Sequence, residues 1–164
     1  QNDCIKVLYE IGEKNPSLIA GYVKVFLTLL THKNNRLQWG AMTALNSITL
    51  ENPRIIYNSL AKIIASADKG SVITKDQIVN ILIKLCGIKQ YSGTAFALLL
   101  EQLLKSPTNQ LPMYAEKAIP IVTHKNQALF VKVLISRLDD FQKETKRKRV
   151  EKIIKKFNKL NEKQ

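Results

Sequence analysis

The stretch Leu37–Ile56, LQWGAMTALNSITLENPRII, opens beside the chain's single tryptophan and closes just beyond an Asn-Pro pair. Ala41, Ala44, Leu45 and Ile48 fall at i, i+3, i+4 and i+7, the spacing of one helix face. The same four places recur along the chain. A step of 37 residues upstream gives Cys4, Val7, Leu8 and Ile11, and a step of 37 downstream gives Ile78, Ile81, Leu82 and Leu85. A further 37 gives Ala115, Ala118, Ile119 and Val122, and a last step of 35 gives Val150, Ile153, Ile154 and Phe157. All five copies carry apolar or small residues at all four places, so the stretch reads as one copy of a repeat.

A second kind of helix lies between the copies. Ile19, Val23, Phe26, Leu27 and Leu30 form one stripe, and Ile56, Leu60, Ile63, Ile64 and Ala67 repeat it 37 residues on. Phe96, Leu99, Leu100 and Leu103 carry most of it again, as do Val131, Leu134, Ile135 and Leu138. Asn15-Pro16 and Asn52-Pro53 stand before two of these helices, where Asn suits the N-cap and Pro the first helical position. Pro112 reads as another first-turn proline. Thr74-Lys75-Asp76-Gln77 reads as a capping box, with Thr74 as cap and Gln77 reaching back. Pro120 lies inside the fourth copy, where it removes a backbone bond and clashes with the preceding turn. A kink or early end near Ile119 is expected.

These signals predict nine helices of two alternating types. A helix pair cannot bury its apolar face alone, whereas stacked pairs share a core. The expected fold is all-α: a right-handed α-solenoid of about four antiparallel helix pairs plus an extra terminal helix, with a period near 37. One domain spans 1–164, and 144–164 form a basic amphipathic capping helix. The first helix, from roughly Asp3 to Glu13, caps the stack or belongs with a further upstream helix.

On Ala41, Leu45, Ile48 and the closing Asn52-Pro53, the copy resembles the second helix of a HEAT or armadillo-type repeat. The resemblance covers nearly the whole chain, and it implies a fold rather than an activity. HEAT repeats often carry an Asp in the turn and an Arg early in the second helix. Those places hold Asn34 or Asn35 and Gln38 here, so the chain is HEAT-like without that ladder.

In such a fold, the side opposite the apolar stripe of the second-type helices lines a concave groove. Trp39 lies roughly opposite Ala41–Ile48 on a helical wheel, and Asn46 shares its side. Tyr9 sits there one repeat earlier, Asn80 and Lys84 one repeat later, then Lys117. Trp39 has two readings: a groove aromatic that anchors a peptide or stacks on a base, or a ring folded over a neighbouring helix pair. In the last helix Lys152, Lys155, Lys156 and Lys159 oppose the apolar stripe, preceded by Lys146, Arg147, Lys148 and Arg149. Together these eight form a basic patch. It reads either as a phosphate-facing surface or as a polar cap that keeps the stack's end soluble. "KRKR" also resembles a basic nuclear-import cluster.

Charge supports the basic end. The chain is net +13; residues 136–164 carry 11 Lys and Arg against 5 Asp and Glu, while the preceding 135 residues carry 15 against 8. Such a balance favours acidic partners. With 164 residues, roughly 70% of the unfolded surface can be buried without a metal or disulfide. The longest apolar run, Ala95 to Leu100, is far short of the ~20 residues of a membrane span. Cys4 and Cys86 read as buried free thiols two repeats apart, which implies a reducing, cytoplasmic setting. His32 and His124 sit in separate turns and cannot share a metal site. No cofactor motif, paired carboxylates or Ser-His-Asp set appears.

The expectation is therefore a non-enzymatic scaffold whose groove binds a protein or peptide, acidic in character. The alternative is a nucleic-acid-binding solenoid using the basic helix face. HEAT-like alkylpurine DNA glycosylases share the architecture and use groove aromatics with an aspartate near the lesion. Here no acid lies between Asn34 and Glu51, and Asp76 sits at the start of the next groove helix.

Overall fold

The computed structural model describes residues 2–161, with side chains over 3–159; Gln1 and the end of the expected capping stretch, 162–164, lie outside the described residues. Every described element is helical: ten α-helices joined by short turns, four of them 3₁₀. The chain divides into two compact units, Gln1–Ser92 and Gly93–Gln164.

The first unit holds α1 (Asn2–Lys14), α2 (Val23–Leu29), α3 (Asn35–Ser47), α4 (Pro53–Asn58), α5 (Leu60–Lys69) and α6 (Val72–Cys86). The repeated second-type helices are α1, α3 and α6. They pack in succession, α1 on α3 and α3 on α6, while α2 lies against α3 and α5 against α6. Ala41, Ala44, Leu45 and Ile48 are fully buried, as are Ile78, Ile81, Leu82 and Leu85. Ile19, Val23, Phe26 and Leu30 and, 37 residues on, Ile56, Leu60, Ile63 and Ala67 complete the core. Small residues set the closest approach. A Cβ added at Gly40 of α3 would lie 2.7 Å from Cγ1 of Ile5 in α1.

That approach corrects the expected register of α1. The buried residues of this helix are Ile5 and Gly12, with Leu8 half-buried, whereas Cys4 and Val7 are exposed. Both sets are apolar enough for a helical face. Gly40 decides between them by admitting the branched Ile5. The capping expectations are also revised. Asn52 makes no cap bond; its Nδ2 donates to the Ala20 carbonyl at 3.0 Å, so it braces the start of α4 against the 3₁₀ turn Ala20–Tyr22. Ser71, not Thr74, precedes the first turn of α6. Thr74 Oγ1 donates to the Ser71 carbonyl, and Gln77 Oε1 accepts from Asn46 Nδ2. First-type helices are broken, residues 16–29 into two 3₁₀ turns and α2, residues 53–69 into α4 and α5 at Ser59. The described elements therefore outnumber the nine expected.

The second unit holds α7 (Ser92–Lys105), which begins at the boundary, then α8 (Leu111–Ala118), α9 (Gln127–Ser136) and α10 (Glu144–Asn161). Pro112 sits in the first turn of α8, as expected. That helix ends at Ala118, and Pro120 lies in the 3₁₀ turn Ile119–Ile121 that follows, the break its missing N–H requires. Helix α10 packs on α8 and α9. It buries Val150, Ile153, Ile154 and Phe157, the last edge-on to Phe130 with ring centroids 5.7 Å apart. In α9 the fully buried pair is Phe130 and Leu134, and Ile135 is exposed, so this stripe too is shifted from the expected one. Arg137 holds the end of α7. Its guanidinium donates to the carbonyls of Leu103, Leu104 and Ser106 at 2.8, 2.6 and 3.0 Å, groups a helix end leaves without intrahelical partners.

Candidate binding surfaces

Helices α1 and α3 form a cleft lined by Asp3, Ile5, Lys6, Tyr9, Arg36 and Trp39, with a volume of about 320 Å³. Trp39 and Tyr9 are half-buried, and their rings meet at 5.7 Å with a 50° tilt. The Ile5–Gly40 contact sets this distance, since it fixes how closely the two helices lie. The Trp39 ring leans on a neighbouring helix and lines an open cleft. The rim is mixed. Lys6 pairs loosely with Glu10 at 3.8 Å, Asp3 lies beside it, and Arg36 makes no ion pair among the described residues. At its foot, Asn34 caps α3 by accepting from the Arg36 N–H at 2.9 Å. Gln38 donates to the His32 carbonyl, and His32 Nδ1 accepts from the Asn34 N–H at 3.0 Å. These bonds brace the turn that leads into α3.

The other residues expected in the groove do not line this cleft. Asn46 is half-buried, and its amide donates to Gln77 across the α3–α6 contact. Lys84 reaches from α6 to the Asn46 carbonyl near the end of α3, at 2.5 Å. A cation is favoured there by the carbonyls of the last turn. Burial of the Lys84 amine lowers its pKa. Asn46 and Lys84 therefore join two helices. Asn80 is half-buried in the same unit, and Lys117 is exposed in the other. The sequence pattern pointed to Tyr9 and Trp39 together. It missed Asp3 and Arg36 as cleft neighbours, because their placement depends on how α1 meets α3.

The eight residues of the basic patch separate into two groups. Lys146 donates to the Asn109 carbonyl at 3.3 Å. Arg147 pairs with Glu151 at 3.0 Å, and Lys148 lies 3.7 Å from Glu144. Arg149 donates to both oxygens of Glu116, at 2.8 and 2.5 Å, tying α10 to α8. Those hydrogen bonds hold the Glu116 carboxyl below its ordinary range, against a smaller opposing effect of burial, and raise the Arg149 pKa. Lys152, Lys155, Lys156 and Lys159 are exposed and make no hydrogen bond or ion pair among the described residues.

Cys4 is exposed, which overturns its expected burial, for the register reason given above. Cys86 is partly buried, and desolvation pushes its thiol up to about 11. Among the described residues no three His, Cys, Asp or Glu side chains stand where they could hold a metal ion, and no helix is long and apolar enough to cross a membrane. Comparison with protein-family models, curated proteins and solved structures returns no match for the chain.

Proposed function

We propose that this chain is a non-enzymatic, HEAT-like interaction module that binds an acidic protein segment, anchored at the Trp39–Tyr9 cleft. The observation that carries the reading is that cleft. It places two aromatic rings over a buried isoleucine, beside an arginine that makes no ion pair among the described residues. Its volume is at the small end of ligand sites. It suits one apolar side chain of a bound segment, with Arg36 taking a carboxylate next to it. The successive packing of α1, α3 and α6 supports a solenoid, because each second-type helix meets the equivalent of the previous repeat. The groups with displaced pKa values support binding over catalysis. Lys84, Cys86, Glu116 and Arg149 owe their shifts to burial or to contacts that hold helices together.

The test uses Trp39 as its own reporter, since it is the chain's single tryptophan. Peptides of about a dozen residues carrying four acids around a central Leu or Phe are titrated into the protein. A matched basic set serves as control. A saturable change in Trp39 emission is expected with the acidic set alone. By peptide anisotropy, Trp39→Ala should weaken binding roughly 30-fold, the ~2 kcal/mol of an aromatic anchor. Arg36→Gln should cost less than that. Equal response to both sets, or no saturable response at millimolar peptide, would refute the reading.

A further inference from the structure

Helix α10 presents a second surface, built independently of the aromatic cleft. At 3.6 residues per turn, Lys148, Lys152, Lys155, Lys156 and Lys159 fall within roughly 100° of arc, centred nearly opposite Val150, Ile153, Ile154 and Phe157. The apolar side is anchored against its own unit, so the lysine side is turned away from the core. From Lys148 to Lys159 the row runs about 16 Å along the axis. Its first member shares its charge with Glu144; the remaining four make no ion pair among the described residues.

The chemistry of the row narrows its partner. All four cations are ammonium groups, compact donors without a planar fork. The arginines of this helix are already engaged with Glu151 and Glu116. The row therefore offers point charges suited to phosphates rather than the planar fork that arginine presents to a base edge. Its aromatic residue, Phe157, is buried against Phe130 and unavailable for stacking on single-stranded bases. A row of ammonium donors makes no pattern that selects the 2′-hydroxyl of RNA, which both donates and accepts, over phosphate. Insertion into a bilayer would need the apolar side, which the core of the unit already holds. What remains is a rail of positive charge matched to a polymer with one negative charge per ~1.7 Å. We infer that the Lys152–Lys155–Lys156–Lys159 face of α10 docks on the phosphate backbone of double-stranded DNA without sequence preference.

The experiment measures binding of the whole protein to a labelled 20-base-pair DNA duplex by anisotropy across 50–200 mM salt. Four neutralised phosphates give a slope of log K against log salt near −3.6, hence a loss of about 150-fold across that range. Lys152→Gln/Lys155→Gln/Lys156→Gln/Lys159→Gln should lower affinity at least 100-fold at 50 mM salt and flatten the slope. The half-variant Lys156→Gln/Lys159→Gln should lose about half the slope. A charge-matched variant at exposed lysines of the first unit, Lys24→Gln/Lys33→Gln/Lys62→Gln/Lys69→Gln, should lose less than tenfold. Trp39→Ala should leave DNA binding unchanged, which separates this surface from the peptide cleft. Circular dichroism melts confirm that each variant folds. Equal losses in the two quadruple variants would assign binding to net charge and overturn the proposal. So would tenfold tighter binding to an RNA duplex of the same sequence, tighter binding to vesicles of 30% phosphatidylserine, or no DNA binding at 50 mM salt.

Discussion

Replacing Gly40 with alanine tests the contact on which the aromatic cleft depends. Two effects oppose each other. Alanine in mid-helix is favoured over glycine by about 1 kcal/mol. Against this, the new methyl would stand 2.7 Å from Ile5 Cγ1 and 3.2 Å from its Cγ2. Ordinary carbon contacts lie at roughly 3.5–4.0 Å, so the shortfall is about 1 Å. Ile5 cannot swing clear, because its β-branch is stiff and its side chain is 3% exposed. Helix α1 must move away from α3 instead, a form of overpacking that costs about 1–3 kcal/mol. The net expectation is a loss of about 1 kcal/mol. For a unit of this size that is a fall of roughly 4–8 °C in Tm. Trp39 lies in the same unit, so its emission follows this unfolding directly, and it should also shift in the folded state as Tyr9 moves away. Ile5→Ala alone should cost about 2–4 kcal/mol through the cavity it leaves. Combined with Gly40→Ala it should cost at least 1 kcal/mol less than the sum, because the added methyl enters that cavity. A Gly40→Ala protein as stable as the parent, with additive energies in the double variant, would refute the account of the α1–α3 contact.

Arg137→Ala should destabilise the second unit by about 2–3 kcal/mol, seen in urea denaturation, because three carbonyls near the α7 terminus lose a charged donor. Arg137→Lys should recover less than half, since an ammonium lacks the fork that reaches all three. With a thiol reagent at pH 7, Cys4 should react fast and Cys86 at least 100-fold more slowly, given its exposure and a thiol pKa near 11; Cys4→Ser should remove the fast phase alone. The Glu116–Arg149 pair should contribute stability above pH ~4.5 and lose it as pH falls through the lowered carboxyl pKa. Both side chains are 41% exposed, so solvent screening keeps the contribution to about 1 kcal/mol or less. Glu116→Gln should remove that acid-limb dependence in melts run between pH 3 and 6, and a wild-type dependence left intact would refute it.

What the sequence made legible follows from how local the deciding physics is. Ala41–Ile48 and Ile78–Leu85 are readable because helical periodicity alone marks their buried faces, and all eight stripe residues have no exposure. The same holds for α10, where apolar and lysine faces are cleanly separated. In α1 the sequence offers two overlapping faces, the expected Cys4–Val7–Leu8–Ile11 and the observed Ile5–Leu8–Gly12, which share Leu8. Local periodicity cannot choose, because the choice is made by Gly40 on another helix. Asn52 fails for a related reason: a cap and a brace need the same amide, and only the proximity of the Ala20 carbonyl selects the brace. Pro120 was readable because it falls beyond the first turn, where a missing N–H removes an intrahelical bond. Of the candidate sites, the Tyr9–Trp39 pairing was visible as two residues on matching sides of two helical patterns offset by 37 residues. The joining roles of Asn46 and Lys84 required the third dimension.

The placement of the cations bears on the chain's strongly basic balance. Three of them complete helix or turn ends: Lys84 at the Asn46 carbonyl, Arg137 at the end of α7, and Lys146 at the Asn109 carbonyl. Short helices multiply such ends, and each leaves carbonyls that a cation can satisfy. Part of the chain's positive charge thus has a structural use, at the ends of α3 and α7 and at the turn before α8. Net charge alone therefore overstates the surface available to an acidic partner. The lysines from Lys152 to Lys159 differ in kind. They cap no carbonyl and pair with no carboxylate among the described residues, and they lie opposite the buried Val150, Ile153, Ile154 and Phe157. Holding four like charges on one face costs repulsion that a scattered arrangement would avoid. An anionic partner along that face would relieve the repulsion as it binds. The quadruple glutamine variant should accordingly melt no lower than the parent without DNA, and higher at low salt. A lower Tm at 20 mM salt would show that these lysines hold the fold rather than await a partner.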